Sequence, residues 1–302
     1  MLINFNYHLQ KIKDVRSGKI KEGLKLEIDN LDEHLRFKRQ FNVILGHANV
    51  GKTSIILYLM LLYTKKHNLK WLIFSAESDS YTLIKKLIEY LCSKIIQHIE
   101  ETEFLDKAFF IDNHFKFIDC NKTYDYKQLL KLAKEIKTKF NYDGFLIDPY
   151  NALTVNKSLL VGNKHEYDYN VCSEFRLFTK KNNCVIWLNT HANTEALRKI
   201  HPLSHEYAGH PIPPNAADVE GGGKFVNRAD DFWVLHRYLQ HKTEWMISHL
   251  HVRKVKDTDT GGSHTDLDTP LKFRNIKNNV GFEINGINYV PLLKELPFCI
   301  KI

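Results

Sequence analysis

The stretch Gly46-His47-Ala48-Asn49-Val50-Gly51-Lys52-Thr53 constrains this chain more than any other. It is an unbroken instance of the pattern G-x-x-x-x-G-K-[ST]. An apolar segment, residues 41–45, precedes it and reads as a buried strand; residues 54–62 follow it and read as a helix apolar on most sides. The pattern therefore falls between a strand and a helix. Gly46 and Gly51 let the backbone curl until its N–H groups face a single point. The helix beginning near Lys52 adds its positive dipole end. A cradle of this kind suits a phosphate chain. The ligands expected are ATP and Mg2+, with Lys52 reaching the β- and γ-phosphates and the Thr53 hydroxyl holding the metal.

At 302 residues the chain has room for one large α/β domain or two small ones. Its 43% apolar and 26% charged residues are ordinary for a globular protein that builds a core without staples. The longest apolar run, residues 55–63, is well short of the ~20 residues that span a bilayer, so no membrane partner is expected. The N-terminus lacks a basic start, a long apolar stretch and a small-residue cleavage site, so no signal peptide is read. Cys92, Cys120, Cys172, Cys184 and Cys299 are scattered and form no C-x-x-C, which points to a reducing compartment: the cytoplasm of a bacterium or of a phage-infected host. His201 and His205 stand four apart, but Pro202 argues against a helix presenting both to a metal. The net charge of +8 suits a nucleic-acid partner without establishing one.

Along the chain, residues 1–30 are basic, with Lys11, Lys13, Arg16, Lys19, Lys21 and Lys25 among Ile12, Val15, Ile20 and Leu24. A short helix is expected over residues 5–15, broken at Ser17-Gly18, and another over 28–35. Residues 71–75 read as a strand. Residues 81–99 read as one long helix with an apolar stripe at helical spacing, capped by Ser78 or Asp79. A short strand at 115–118 precedes an amphipathic helix over 125–140, and 144–149 reads as a strand ending in an acid. A polar loop over 154–166 leads to a helix over 167–181 and a strand over 184–190. Residues 191–223 turn irregular, with four prolines and Gly221-Gly222-Gly223, the composition of a functional loop. Strands are expected over 231–237 and 245–255, and again over 271–291 with turns at Lys277-Asn278-Asn279 and Asn285-Gly286. The strand–helix alternation predicts an α/β fold with a mostly parallel sheet, helices on both faces and a β-rich C-terminal portion.

Asp148 closes an apolar strand, as a carboxylate beside Mg2+ would. Glu77 follows the next strand after the phosphate-loop helix. By position it is either the base that activates water or a capping carboxylate. His191 follows another strand end, where it either contacts the γ-phosphate or is structural. Arg253, Lys254 and Lys256 are cations at a strand end, suited to a neighbouring subunit's phosphate or to guarding a sheet edge.

Taken in order, Gly46 to Thr53, Phe74-Ser75-Ala76-Glu77, Leu146-Ile147-Asp148-Pro149, Thr190-His191-Ala192-Asn193, and Gly221-Gly222-Gly223-Lys224 through Arg228-Ala229-Asp230-Asp231 resemble the motif series of DnaB-type hexameric replicative helicases. The resemblance is greatest to phage-encoded and Twinkle-like members and covers about residues 20–290. It implies a RecA-like fold, with Glu77 as the catalytic glutamate, Asp148 as the Mg2+ carboxylate and His191 as the γ-phosphate sensor. Many members carry glutamine at that last position. The family's trans-acting Lys-x-Arg cations fall on Lys254-Val255-Lys256, where lysine cannot form arginine's bidentate fork. Residues 1–20 are expected to be a basic arm or linker helix and 21–302 the ATPase domain, with no room for the primase or N-terminal domain many relatives carry.

The function expected is an ATP-driven helicase or translocase: a homo-oligomer, most simply a hexamer, that moves along single-stranded DNA and works with a separate primase. Arg198, Lys199 and Lys224 are the expected DNA-phosphate contacts of the irregular segment. A RecA-like recombinase filament and a regulatory ATP-binding module such as a helicase loader would share the same phosphate loop.

Overall fold

Alternate residues of the phosphate-loop strand face opposite sides of one sheet. Ile44 enters one core layer, while Val43 and Leu45 enter the other. The computed structural model describes residue 2 and residues 4–19, 23–160 and 163–294. Met1, Ile3, Ile20, Lys21, Val161, Gly162 and Cys299 lie outside the described residues.

In chain order the elements are α1 (Phe5–Arg16), α2 (Leu31–His34), β1 (Phe41–Gly46), α3 (Lys52–His67), β2 (Trp71–Ser75), α4 (Ser80–Cys92), α5 (Glu101–His114), β3 (Phe115–Phe117), α6 (Tyr126–Lys139) and β4 (Gly144–Asp148). There follow α7 (Lys164–Asn182), β5 (Val185–His191), α8 (Lys224–Arg228), β6 (Asp231–Arg237), β7 (Ile247–Val255), β8 (Leu271–Asn275), β9 (Phe282–Glu283) and α9 (Tyr289–Leu292). The sheet order is β3-β2-β4-β5-β1-β6-β7-β8-β9. The pairs from β3 to β6 are parallel and those from β6 to β9 antiparallel, as the expected mostly parallel sheet with a β-rich end requires. Helices cover both faces, with α3, α4 and α5 in one apolar layer and α6 and α7 in the other. Helix α3 is apolar all round because it is enclosed all round: residues 55–63 are all buried.

Several expected boundaries move. The helix expected over 81–99 stops at Cys92, where Ser93 takes a left-handed φ of 50°. The Glu89 carboxylate accepts the Ile96 N–H at 3.0 Å and turns the chain back. Ile96 and Ile99 still pack on the core, so their apolar periodicity reflects tertiary burial and not a continuing helix. The sequence reading assigns no element to residues 100–114, most of which form α5, with Phe110, Ile111 and His114 buried. Helix α7 begins at Lys164, ahead of the expected 167, because the Asn163 side chain caps the Glu166 N–H. In the tail only β8 and the two-residue β9 are strands. Residues from Tyr289 form α9, capped by Asn288 and tied to the core by Tyr289 N–H donating to Tyr58 Oη at 3.2 Å.

The consecutive order β2-β4-β5-β1 brings the motifs together. Ser75 pairs with Asp148 across β2 and β4, and Gly46 with His191 across β1 and β5. Glu77, Asp148, His191 and the phosphate loop thereby emerge at neighbouring carboxyl ends of a parallel sheet, where ligands collect in open α/β folds.

Candidate nucleotide site and the loop beside it

The phosphate loop leaves β1 at a position only glycine fits. A Cβ on Gly46 would lie 2.6 Å from the Leu235 carbonyl oxygen of the adjacent strand. Asn49 and Gly51 then take positive φ angles of 62° and 91°, curling the loop before α3 starts. Lys52, the first residue of α3, is buried and donates from Nζ to the carbonyls of Gly46 at 2.9 Å and His47 at 2.8 Å. Burial pushes its ammonium down to about 8, while the Asp148 and Glu77 carboxylates pull it up.

Asp148 is fully buried at the end of β4. Thr53 Oγ1 donates to its Oδ2 at 2.6 Å, and Asn189 Nδ2 to its Oδ1 at 2.7 Å. Burial raises the Asp148 carboxyl above its usual range, and these two hydrogen bonds oppose the rise. A hydroxyl and a carboxylate oxygen side by side at the loop exit are the hard oxygen donors Mg2+ takes, so the residues fit that ion. Asn189 is a functional residue the sequence reading overlooks. Its signal is a lone amide in the apolar strand Val185-Ile186-Trp187-Leu188-Asn189.

Glu77 stands just past β2, in a turn tied to β4 by Ala76 N–H donating to the Asp148 carbonyl at 2.9 Å. Its Oε1 lies 2.9 Å from His191 Nε2. The expected base and the expected phosphate sensor therefore touch each other. Lys52, Thr53 and Glu77 line a cleft of about 780 Å3 whose far wall includes Tyr90, Arg237 and Phe282. The sequence reading singles out none of those three for the site, because α4, β6 and β9 meet here only through the fold.

The segment after His191 closes on itself at its root. Glu220 N–H donates to the His191 carbonyl at 2.9 Å, Ala192 bridges Val219, and Asn193 N–H donates to the Asp218 carbonyl at 2.8 Å. Further out it is pinned by rings. Tyr207 stacks on Tyr238 with centroids 3.9 Å apart, and His201 Nε2 lies 3.0 Å from Tyr238 Oη. His201 and His205, singled out by their spacing, stack on each other at 3.9 Å. Beneath lie the buried His236, His249 and His251, which burial pushes down to about 3, 4 and 2. Among the described residues there is no group of three or more His, Cys, Asp or Glu that could hold a metal ion.

The expected DNA contacts fall in three different settings. Arg198 is exposed and pairs only with exposed Glu195, at 2.9 Å. Lys199 is half exposed and donates to buried Asp218 at 2.6 Å. Lys224 corrects the expectation: its side chain is 3% exposed and lies 3.2 Å from Asp168, itself buried, so it does not face a DNA backbone. Asp168 also accepts from Tyr150 Oη at 2.6 Å and from Lys164 at 3.0 Å. Of the expected trans cations, Lys254 donates to the carbonyls of Val226 at 2.7 Å and Ala229 at 2.8 Å, at the end of α8. Lys256 is half exposed, 3.6 Å from Asp230. The two lysines thus occupy different environments.

This sheet, its phosphate loop and its strand-end carboxylates define a RecA-like ATPase fold. The chain is similar to the solved ATPase domain of a DnaB-like replicative helicase, with a TM-score of 0.74 and 16% identity over 93% of this chain and 99% of that one. It is also similar to a structure described as a DnaB-like replicative helicase and its interactions with primase, with a TM-score of 0.67 and 15% identity over 93% of this chain and 67% of that one. At these identities the likeness is one of fold. In sequence it is 22% identical over 234 residues to the Twinkle homolog protein, chloroplastic/mitochondrial, of Arabidopsis thaliana, covering 74% of this chain and 31% of that protein. The chain therefore spans about a third of that relative's length. No family model matches it. The DnaB-type resemblance carried by the motifs extends to the fold.

Proposed function

We propose that this chain is an ATP-driven DNA helicase or translocase of the DnaB-type replicative class. The observation that carries the reading is the convergence of Lys52, Thr53, Asp148, Glu77 and His191 around one cleft at neighbouring strand ends of that fold. Lys52 and the loop amides hold the phosphates of ATP, Thr53 and Asp148 hold Mg2+, and Asn189 keeps the Asp148 carboxylate aimed. Bound Mg2+ neutralises charge on the phosphate oxygens. Glu77 takes the proton of the attacking water as its oxygen bonds the γ-phosphorus and ADP leaves. On the far wall, Tyr90 and Phe282 offer aromatic faces to the base.

The working form is a homo-oligomer, most simply a hexameric ring. Helix α1 supports this with Phe5, Tyr7, Ile12 and Val15 exposed on a basic helix, a surface suited to a second copy. Lys256, with Lys254 or Arg253, completes the neighbouring subunit's phosphate site in this reading. The rooted segment 192–220 is the DNA-gripping loop, with Arg198 and Lys199 as its phosphate contacts. A separate primase is the natural partner, and a bacterial or phage-infected cytoplasm the natural setting. Among the described residues no helix is long and apolar enough to cross a membrane.

The test is displacement of a labelled strand from a forked duplex with ATP and Mg2+, beside sizing with nucleotide. Strand release by a ring supports the reading. Open filaments without strand release would favour a recombinase, and nucleotide binding without turnover a regulatory module.

A further inference from the structure

We propose that His191 is a latch for Glu77: the ring nitrogen that holds the glutamate is the donor a terminal phosphate takes, so the two partners exclude each other. This rests on the reading of Glu77 as the base for ATP hydrolysis and adds how that base is withheld and released.

The geometry supplies the exclusion. His191 ends β5 opposite Gly46, which sets its ring at the mouth of the phosphate loop. Its Nε2 lies 2.9 Å from Glu77 Oε1, and among the described residues this is the hydrogen-bond partner of the Glu77 side chain. An imidazole Nε2 carries a single hydrogen in either charge state, so it serves one acceptor at a time. The pair also straddles a boundary. Glu77 lines the nucleotide cleft, whereas His191 lines an adjoining cavity of about 540 Å3 walled by Val50, Ala192, Leu197, Pro211 and Leu239. When a γ-phosphate takes Nε2–H, the Glu77 carboxylate is set free in the cleft where water must be activated. When phosphate departs, the pair closes again and the ADP-bound site carries an idle base.

The latch is also placed to act on the loop. The His191 carbonyl accepts Glu220 N–H, and Ala192 and Asn193 pair with Val219 and Asp218, so a shift of His191 is felt at both ends of segment 192–220 at once. His191 is a positioning residue toward Glu77 in this scheme, distinct from its contact with phosphate.

The experiment is a double-mutant cycle on nucleotide binding in the full chain with Mg2+. Dissociation constants for adenylyl imidodiphosphate and for ADP are measured in wild type, Glu77→Ala, His191→Ala and the double variant. The side chains are 47% and 20% exposed, so neither truncation opens the core. Removing a competing charge-assisted acceptor is expected to tighten the triphosphate analogue about tenfold relative to ADP in Glu77→Ala. The gain should shrink to about twofold or less when His191 is absent. His191→Gln, which keeps an N–H donor, should restore most of the coupling. If Glu77→Ala shifts the analogue-to-ADP ratio by one factor in both backgrounds, plain charge repulsion accounts for it and the latch is overturned. ATP turnover of Glu77→Gln separates the two claims. Lost turnover with an uncoupled cycle overturns the latch and keeps the base. Undiminished turnover with a coupled cycle keeps the latch and overturns the base.

Discussion

Replacing Asp168 by asparagine tests whether Lys224 belongs to the core and not to the DNA surface. Asp168 is fully buried and Lys224 is 4% exposed. Their separation is 3.2 Å, with Tyr150 Oη also donating to Asp168 at 2.6 Å. Lys164 reaches the same carboxylate, but its side chain is 64% exposed, so screening leaves that pair contributing little. In Asp168→Asn the Tyr150 bond survives on the amide oxygen, while the Lys224 ammonium is left buried beside a neutral group. Breaking a buried pair from one side costs about 3–5 kcal/mol, and the amide oxygen's residual attraction favours the low end, about 3 kcal/mol. At about 2 °C per kcal/mol for a chain of this size, the melting temperature falls by roughly 6 °C. Adding Lys224→Met removes the stranded charge and should recover most of the loss. Urea and thermal unfolding at pH 7 read both variants. The reasoning fails if Asp168→Asn stays within about 0.5 kcal/mol of wild type, or if the double variant is no more stable than the single. It fails equally if Lys224→Met keeps wild-type stability yet flattens the salt dependence of DNA binding, since Lys224 would then be a phosphate contact.

Four further outcomes follow from the site. Because burial holds Lys52 down to about 8 and a bound phosphate raises it, ATP affinity should be constant below pH 8 and fall by up to about tenfold per unit above it, read by titration calorimetry; a flat profile to pH 9.5 would contradict this. Asn189→Leu strips a donor from a carboxyl already raised by burial, so Mg2+ affinity should drop by about 10–100-fold and the acid limb of turnover move to higher pH; unchanged metal titration would refute it. His236, His249 and His251 are held neutral when folded, so the folded state loses stability as pH falls below the ordinary histidine value near 6.5, by at most about 2 kcal/mol each at pH 5; urea unfolding that is no easier at pH 5 than at pH 7 would deny it. Arg198→Ala/Lys199→Ala should weaken single-stranded DNA binding and lower its salt slope by about 0.7 per lost contact while sparing basal turnover; an unchanged slope would move the contacts elsewhere.

What can be read from sequence is local or periodic. The phosphate loop, the strands around it and the acid closing β4 follow from glycine placement and short apolar runs, and these lie where expected. The resemblance names Glu77 and His191, but only the order β2-β4-β5-β1 makes them neighbours. Asn189 and Arg237 escape a sequence reading because their roles come from partners far away in the chain. Lys224 misleads because its charge and its Gly-rich setting suggest a surface, whereas its counterion sits on α7, 56 residues earlier. The end of α4 is hidden for a related reason. Ile96 and Ile99 keep the helical rhythm by packing on the core after the helix has stopped at Ser93.

The central claim is that Glu77 hydrolyses ATP in a site that answers to DNA. The most direct measurement is the steady-state ATP hydrolysis rate of the wild-type protein with and without saturating single-stranded DNA, with Glu77→Gln as the matched control. The account predicts turnover that rises at least several-fold with DNA and is abolished in Glu77→Gln while nucleotide still binds. A wild-type rate indifferent to DNA, or turnover that survives in Glu77→Gln, would contradict it.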